Sequence, residues 1–266
     1  MTSRLAPLFD ACRAEQRAAL IGYLPAGYPT VARSKELFAV MTESGCDLVE
    51  VGVPYSDPVM DGPTIQAAAE TALRAGVRLR DVFSVVESVA GGGGRAVVMT
   101  YWNPVHRYGV GAFARDLAAA GGLGMITPDL VPDEAEDWLS AAAAHDLDRI
   151  FLVAPSSTVQ RLASTAAATR GFLYATSTMG VTGARDAVSS AASKLVHRAR
   201  VHAPDLPVGV GLGVRDGAQA AEVAAFANAV IVGSAFVTCA SESIDAVRTL
   251  TGDLAGGVRR PAPQRV

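Results

Sequence analysis

The sequence contains few of the residues that build metal or redox centres. Its three cysteines lie far apart and include no C-x-x-C pair, and its four histidines form no H-x-x-x-H pattern. We interpret the cysteines as small buried hydrophobic residues in a reducing compartment, and the histidines as surface residues rather than metal ligands. The residues concerned are Cys12, Cys46, Cys239, His106, His145, His197 and His202.

Lysine is scarcer still. The only lysines are Lys35 and Lys194, and both lie in segments with helical patterning. An enzyme that forms a Schiff base needs its lysine in the mouth of the active site. We therefore expect neither imine chemistry nor a metal-held enolate, and no cofactor. The chemistry that remains is proton transfer by glutamate and aspartate.

Long apolar runs and concentrated positive charge are also missing. No run approaches the roughly 20 residues that a membrane helix requires, and residues 1–17 lack the apolar region of a secretory signal. The formal net charge is −3 and the only basic run is the short pair Arg259 and Arg260. Nucleic acid and anionic membranes are therefore poor candidates as partners. These features predict a soluble cytoplasmic protein.

Eight short apolar runs recur along the chain, and segments with helical patterning separate them. Most of the runs are continuously hydrophobic, which is typical of strands buried on both faces of a parallel sheet. The runs cover residues 19–24, 47–53, 96–102, 124–127, 150–154, 172–176, 207–211 and 229–233.

Strands that alternate with helices predict either a doubly wound sheet or a barrel. The chain has neither a G-x-G-x-x-G nor a G-x-x-x-x-G-K-[ST] motif, so the doubly wound alternative loses its main support. A (β/α)8 barrel needs about 250 residues. We therefore predict the α/β class: a single (β/α)8 TIM barrel domain over residues 1–266. An N-terminal helix with Leu5, Leu8, Phe9 and Cys12 on one face would close its floor, and the tail from about Gly256 would be poorly ordered.

Glycines cluster where a barrel of this kind often binds phosphate, in the loops after the last strands. They lie in residues 180–184, 211–213 and 233–236, which follow the sixth, seventh and eighth predicted strands. Glycine lets backbone N–H groups approach an anion, and a short helix starting at Ser234 would direct its N-terminus there. The alternative is that each glycine merely eases a tight turn.

The second predicted strand supplies a carboxylate. Glu50 stands between Val49 and Val51, so its side chain must point into the barrel mouth or be buried without a partner. Burial would raise its pKa and suit it to general acid and base catalysis. The alternative is a structural salt bridge with an arginine. In the loop that follows, we expect Asp61 to be functional and Asp57, before Pro58, to stabilise a turn.

The same region carries a long motif. Residues 49–66 read VEVGVPYSDPVMDGPTIQ, and this run resembles the signature of the tryptophan synthase α subunit family. Shorter matching segments follow in the order of the family: MTYWNP (99–104), PDL (128–130), GVTG (180–183) and VGSA (232–235). The resemblance covers nearly the whole chain.

The resemblance implies a (β/α)8 lyase that cleaves indole-3-glycerol phosphate to indole and glyceraldehyde 3-phosphate. It implies Glu50 as general acid and base, and Asp61 as the carboxylate that binds the indole N–H. It further implies a set of substrate and phosphate contacts. These are Tyr101 and Tyr174 at the substrate, Thr182 meeting the Asp61 loop, and Gly183, Gly213, Gly233 and Ser234 around the phosphate.

The family passes indole to a β subunit that holds pyridoxal phosphate. The resemblance implies that Asp57 and Pro58, with Asn103 and Pro104, face this partner, and we expect the loops 55–63 and 178–186 to close over the site. Tyr28 stands where an aspartate is frequent, and residues 175–179 lack an arginine often found there. Two alternatives stay open: a stand-alone indole-releasing lyase, and a catalytically silent barrel that binds phosphate.

Overall fold

Eight parallel strands form a closed barrel in the computed structural model, which describes residues 2–176 and 185–260. Each strand pairs with its neighbours in sequence, and β8 pairs back with β1. This confirms the predicted (β/α)8 fold. The strands are β1 (Ala19–Pro25), β2 (Leu48–Gly52), β3 (Ala96–Met99), β4 (Gly124–Thr127), β5 (Asp148–Val153), β6 (Leu173–Thr176), β7 (Val208–Gly211) and β8 (Ala229–Val232).

Helices pack around the outside of the barrel. A typical one is α2, which begins where the Thr30 hydroxyl accepts a hydrogen bond from the Arg33 N–H and ends at Gly45, whose φ of 126° favours glycine. The helices are α1 (Ala6–Ala14), α2 (Val31–Ser44), α3 (Pro63–Arg74), α4 (Leu79–Gly91), α5 (Trp102–Tyr108), α6 (Val110–Ala119), α7 (Glu136–Ala144), α8 (Val159–Ala168), α9 (Arg185–His202), α10 (Gly217–Ala224), α11 (Ser234–Glu242) and α12 (Ile244–Val258).

The lower half of the barrel interior is apolar and is closed by α1. Leu8, Phe9 and Cys12 of this helix, with Leu5 before it, are buried against the inward side chains of the strands. The ring of Phe9 lies 5.9 Å from that of Phe172 in β6, measured between centroids. The predicted floor helix is therefore present, and only the opposite end of the barrel is left for a site.

Two carboxylates at the floor attach the segment around α1 to the barrel. Asp148, at the start of β5, is fully buried and accepts hydrogen bonds from the Ser3 hydroxyl at 2.7 Å and the Leu5 N–H at 3.0 Å. Asp47, before β2, accepts two bonds from the Arg17 guanidinium at 2.8 and 2.9 Å. Charge-assisted bonds with buried partners hold a helix more firmly than exposed ion pairs do.

Three boundaries differ from the sequence expectation. The third strand ends at Met99 instead of residue 102, because α5 begins at Trp102, where the Asp129 carboxylate accepts the backbone N–H at 2.8 Å. The sequence also suggests that Asp133, after Pro132, caps a helix, but Asp133 lies in a 3-10 turn and its carboxylate pairs with Arg161 at 2.9 Å, while α7 begins at Glu136. The last helix continues past Gly256, where we expected the tail to begin, to the buried Val258.

Candidate active site

Glu50 lies inside the barrel on β2, opposite Tyr23 of β1 and Val97 of β3 in the strand register. Its side chain is 0% exposed, and neither carboxylate oxygen has a hydrogen-bond partner among the described residues. An ionised carboxylate is costly in such a position because burial removes its hydration. Burial accordingly raises the pKa of Glu50 to about 8, so that the group is mainly a neutral acid at pH 7.

A structural salt bridge at Glu50 was the alternative, and it is wrong for the part of the chain that the structure describes. The ion pairs there involve other carboxylates, such as Asp47 with Arg17 and Asp148 with Arg170. Burial is the cause of the raised Glu50 pKa, and no cation offsets it. A buried carboxyl group without a cation is costly for stability, and this is typical of a functional group.

Two tyrosines flank Glu50 inside the barrel. Tyr23 extends from β1 and is buried, and Tyr174 extends from β6 and packs against the interior cluster. Each ring occupies space beside a glycine: a Cβ atom on Gly52 would lie 2.4 Å from Tyr23 Oη, and one on Gly211 would lie 2.8 Å from Tyr174 Oη. Burial, followed by the charges of Glu50 and Asp61, raises the pKa of both phenols well above its ordinary value.

The sequence interpretation included Tyr174 but missed Tyr23. Tyr23 matters because the pairing of β1 with β2 places it opposite Glu50. The sequence of a single strand does not reveal how that strand is aligned with its neighbour. A usable signal was present, because a tyrosine in a continuously buried strand needs a polar group near its hydroxyl. Tyr23 also shares the period-two face of Ala19 and Ile21, which line the barrel interior.

Asp61 lies in the loop between β2 and α3, and its carboxyl group faces the ring of Tyr101 at the mouth of the barrel. Burial raises the pKa of Asp61, and a hydrogen bond from the Tyr101 side chain opposes this shift. The Tyr101 hydroxyl also accepts the backbone N–H of Met60 at 2.9 Å. Tyr101 is itself buried, so one phenol at the end of β3 fixes the part of the loop that carries Asp61.

Asp57 occupies a different environment four residues earlier in the same loop. It is exposed, and its carboxylate lies 2.5 Å from the hydroxyl of Ser56. A bond to the preceding serine is typical of a residue that stabilises a turn. The two loop aspartates therefore lie in different environments, with Asp61 toward the buried groups and Asp57 toward solvent.

Asp129 is a second residue that sequence reasoning left without a role. Both of its carboxylate oxygens accept the backbone N–H of Trp102, at 2.8 and 3.1 Å. A carboxylate at the N-terminus of a helix satisfies an unpaired N–H group and complements the helix dipole. By starting α5 at this point, Asp129 fixes the backbone of Tyr101, the residue that contacts the Asp61 loop.

Gly213, Gly233 and Ser234 come together at the C-terminal end of the barrel. Gly211 of β7 pairs with Ile231 of β8. Gly213 and Gly233 each come two residues after one of these paired residues, so they lie at equivalent levels beyond neighbouring strands. Gly213 has a φ of 65° and faces open space. Gly233 precedes the first residue of α11, Ser234, and no side chain caps this helix. The first backbone N–H groups of α11 therefore point toward the site.

Thr182 and Gly183 lie outside the described residues, as does most of the loop 178–186. Within the described ranges, no three histidine, cysteine, aspartate or glutamate side chains are grouped to hold a metal ion. In the same ranges, no helix combines the length and the apolar character needed to cross a membrane.

Comparison with known proteins identifies the family. The sequence model described as "Tryptophan synthase alpha chain" matches residues 9–258. The chain belongs to the tryptophan synthase alpha chain family. The alpha chain of Nocardia farcinica is 70% identical over 257 residues, covering 97% of this chain and 96% of that protein. The alpha chain of Mycobacterium tuberculosis strain H37Rv is 67% identical over 257 residues, covering 97% of this chain and 95% of that protein.

Solved structures of the family have the same fold. A structure of Mycobacterium tuberculosis tryptophan synthase is similar with a TM-score of 0.94 and 65% identity, covering 98% of this chain and all of that one. The alpha subunit from Legionella pneumophila is similar with a TM-score of 0.88 at 27% identity, covering 97% of this chain and 99% of that one. The chain is therefore an enzyme of tryptophan biosynthesis, a lyase of the tryptophan synthase alpha type. The resemblance read from residues 49–66 is confirmed.

Proposed function

We propose that this chain cleaves indole-3-glycerol phosphate to indole and glyceraldehyde 3-phosphate with Glu50 as its general acid and base. The observation that carries the proposal is the environment of Glu50, which is fully buried, unpaired among the described residues and has a pKa of about 8. A group that is a neutral acid at pH 7 can give a proton to carbon and then accept one from oxygen.

The reaction requires two proton movements. Glu50 gives its proton to C3 of the indole ring, which leaves the positive charge on the ring nitrogen. The glycerol hydroxyl next to the ring then loses its proton to the Glu50 carboxylate, and its oxygen forms the aldehyde C=O. The electron pair of the broken carbon–carbon bond returns to the ring. Protons and charge balance, and Glu50 ends the cycle as it began.

Asp61 would stabilise the charge that develops on the indole nitrogen. Its loop position is fixed by the Tyr101 hydroxyl through the Met60 N–H and the Asp61 carboxylate itself. A preorganised carboxylate stabilises a cationic intermediate without moving during the reaction. Tyr101 and Tyr174 are proposed to contact the substrate beside it.

The phosphate group would bind at the ends of β7 and β8. Gly213, Gly233 and Ser234 offer backbone N–H groups and the N-terminus of α11, which suit an anion. We include Gly183 in this cradle and Thr182 in closure of the site on the basis of the family motif. The proposal separates the two ends of the substrate, with indole near Asp61 and phosphate near α11.

We further propose that the enzyme works with a β subunit that holds pyridoxal phosphate. The segments predicted to face this partner adjoin each other, because Asn103 Nδ2 donates to Tyr55 Oη at 3.1 Å. The rings of Tyr55 and Tyr101 also lie 5.2 Å apart. A partner that contacts Asp57 and Asn103 would therefore contact the loop that carries Asp61. A cytoplasmic location is part of this proposal.

Steady-state cleavage of indole-3-glycerol phosphate by the purified chain tests the central claim. We expect Glu50→Gln to lose roughly 10²–10⁴-fold in kcat, the usual contribution of a general acid or base. The matched control is Glu43→Gln, an exposed glutamate of α2, which should keep its rate. Normal turnover by Glu50→Gln would reject the mechanism.

The same assay with and without a β subunit separates the two lyase alternatives. A partner that favours the closed site should raise the rate without adding a residue to it. An equal rate in both samples would support the stand-alone lyase. No cleavage by the wild-type chain in either sample would reject the proposed reaction.

A further inference from the structure

We propose that the Tyr23 hydroxyl is a positioning group that donates a hydrogen bond to the Glu50 carboxylate after Glu50 has given up its proton. This inference rests on the proposed role of Glu50 as proton donor. It concerns the moment in the cycle at which Glu50 is a buried anion. At that moment the site must supply a donor, because an unpaired buried carboxylate is very costly.

The strand register places Tyr23 next to Glu50. The two residues are directly opposite each other on β1 and β2 and share the inward face. The Tyr23 ring crosses from β1 toward β2, because a Cβ atom on Gly52 would lie 2.4, 2.6 and 2.7 Å from its Oη, Cε2 and Cζ atoms. Gly52 follows Glu50 by two residues on the same face of the same strand. The phenol hydroxyl therefore lies beside β2, one layer above Glu50 toward the barrel mouth.

The other groups around Glu50 are less suited to this task. Asp61 is an acceptor when ionised, and Tyr101 is engaged by Met60 and Asp61 at the loop. Tyr174 is a phenol of the same kind, but its hydroxyl lies beside Gly211 of β7, on a strand that does not pair with β2. Among the described residues, no lysine, arginine or histidine pairs with Glu50. Tyr23 is therefore the phenol that extends from the strand paired with Glu50, and Tyr174 is the competing donor that the experiment must separate from it.

Tyr23 is also held ready for this role. Its side chain is 7% exposed, and its ring is enclosed by Gly52 on one side and by Gly233 on another, where an added Cβ would lie 3.5 Å from Tyr23 Cδ1. Burial, with smaller contributions from Asp61 and Glu50, raises the pKa of the phenol well above its ordinary value. Tyr23 thus stays protonated while Glu50 cycles, and acts as a donor rather than as a second acid.

The test is the titration of Glu50 itself near neutral pH. Infrared difference spectroscopy monitors this titration through the band of the protonated carboxyl group. The band is assigned by its loss in Glu50→Gln, so this measurement does not depend on turnover. If Tyr23 stabilises the carboxylate, Tyr23→Phe should raise the titration midpoint by about one pH unit, the equivalent of one charge-assisted hydrogen bond. The shape of the residue is kept, because phenylalanine lacks only the hydroxyl.

Two further variants interpret the result. Tyr174→Phe should shift the midpoint less than Tyr23→Phe does, because its hydroxyl lies on the far strand. Tyr108→Phe, on the outside of the barrel, should not shift it at all. In turnover assays Tyr23→Phe should lower kcat several-fold with little change in KM, since the bond forms only after the proton has left Glu50.

An unchanged midpoint in Tyr23→Phe, or an equal shift in Tyr174→Phe, would overturn the inference and leave the proposed function intact. Full turnover by Glu50→Gln would instead reject the proposed function, whatever the titration shows. The two failures are therefore distinguishable.

Discussion

The backbone N–H of Met60 donates a hydrogen bond to the Tyr101 hydroxyl at 2.9 Å, across 41 positions of the chain. This bond ties the loop after β2 to the end of β3. The same hydroxyl reaches the Asp61 carboxyl group. One phenol thus fixes both the backbone and the side chain of the residue proposed to stabilise the indole nitrogen.

Removing that hydroxyl should loosen the loop. We expect Tyr101→Phe to lower kcat/KM by about 10-fold, because one or two hydrogen bonds of ordinary strength are lost. Steady-state cleavage kinetics measure the effect, and Tyr108→Phe on the exposed side of α5 is the control. If both variants keep the wild-type value, the loop is held by other contacts.

The two loop aspartates should respond differently to the same substitution. Asp61→Asn should lose about 10²-fold or more in kcat, because an amide cannot offset positive charge on the indole nitrogen as a carboxylate does. Asp57→Asn should stay within about 3-fold for the chain alone, since that carboxylate is exposed and bonds to Ser56. The opposite ranking would show that the wrong loop carboxylate has been assigned.

Glu50 should make the fold less stable as the pH rises. Its pKa is raised from 4.5 to about 8 in the folded chain, so between these values the folded state holds a proton that the unfolded state has released. The free energy of unfolding is therefore not reduced by Glu50 below pH 4.5. It falls as the pH rises from 4.5 through 8, at up to ~1.4 kcal/mol per pH unit.

Urea unfolding at pH 5, 7 and 9 checks this sign. Glu50→Gln should remove the loss and be the more stable protein at pH 9, by on the order of 1–4 kcal/mol. Glu43→Gln should follow the wild-type chain at every pH. A Glu50→Gln variant whose stability declines with pH as steeply as wild type would contradict the raised pKa.

The glycine at 213 should be needed for phosphate binding. A side chain there must adopt a φ of 65° and would occupy the open space beside α11. We expect Gly213→Leu to weaken inorganic phosphate and glyceraldehyde 3-phosphate together, by about 10-fold, in calorimetric titrations. Gly93→Leu is the control, because Gly93 also has a positive φ with nothing near its Cβ position but precedes β3 at the other end. Equal losses in both variants would show general strain and not a phosphate site.

Much of this fold could be predicted because it depends on local patterns. Continuous apolar runs mark strands such as Leu20 to Leu24, and Glu50, a charged residue in the middle of one such run, had to face the interior. The contacts between distant segments could not be predicted. Asp129 shortens β3 by binding the Trp102 N–H from 27 positions away, and Tyr23 depends on the register of two strands. Both effects require coordinates in three dimensions.

The floor helix has a consequence for how the chain is made. The Leu5 N–H bonds to Asp148 across 143 positions, and Phe9 packs on Phe172. Helix α1 precedes the barrel strands in the chain, so it cannot dock until the strands of the second half of the barrel have been synthesised. Until then its apolar face, with Leu8 and Cys12, has no binding surface of its own and is open to other chains or to chaperones. A helix made before the barrel strands thus depends on strands made much later for its docking site.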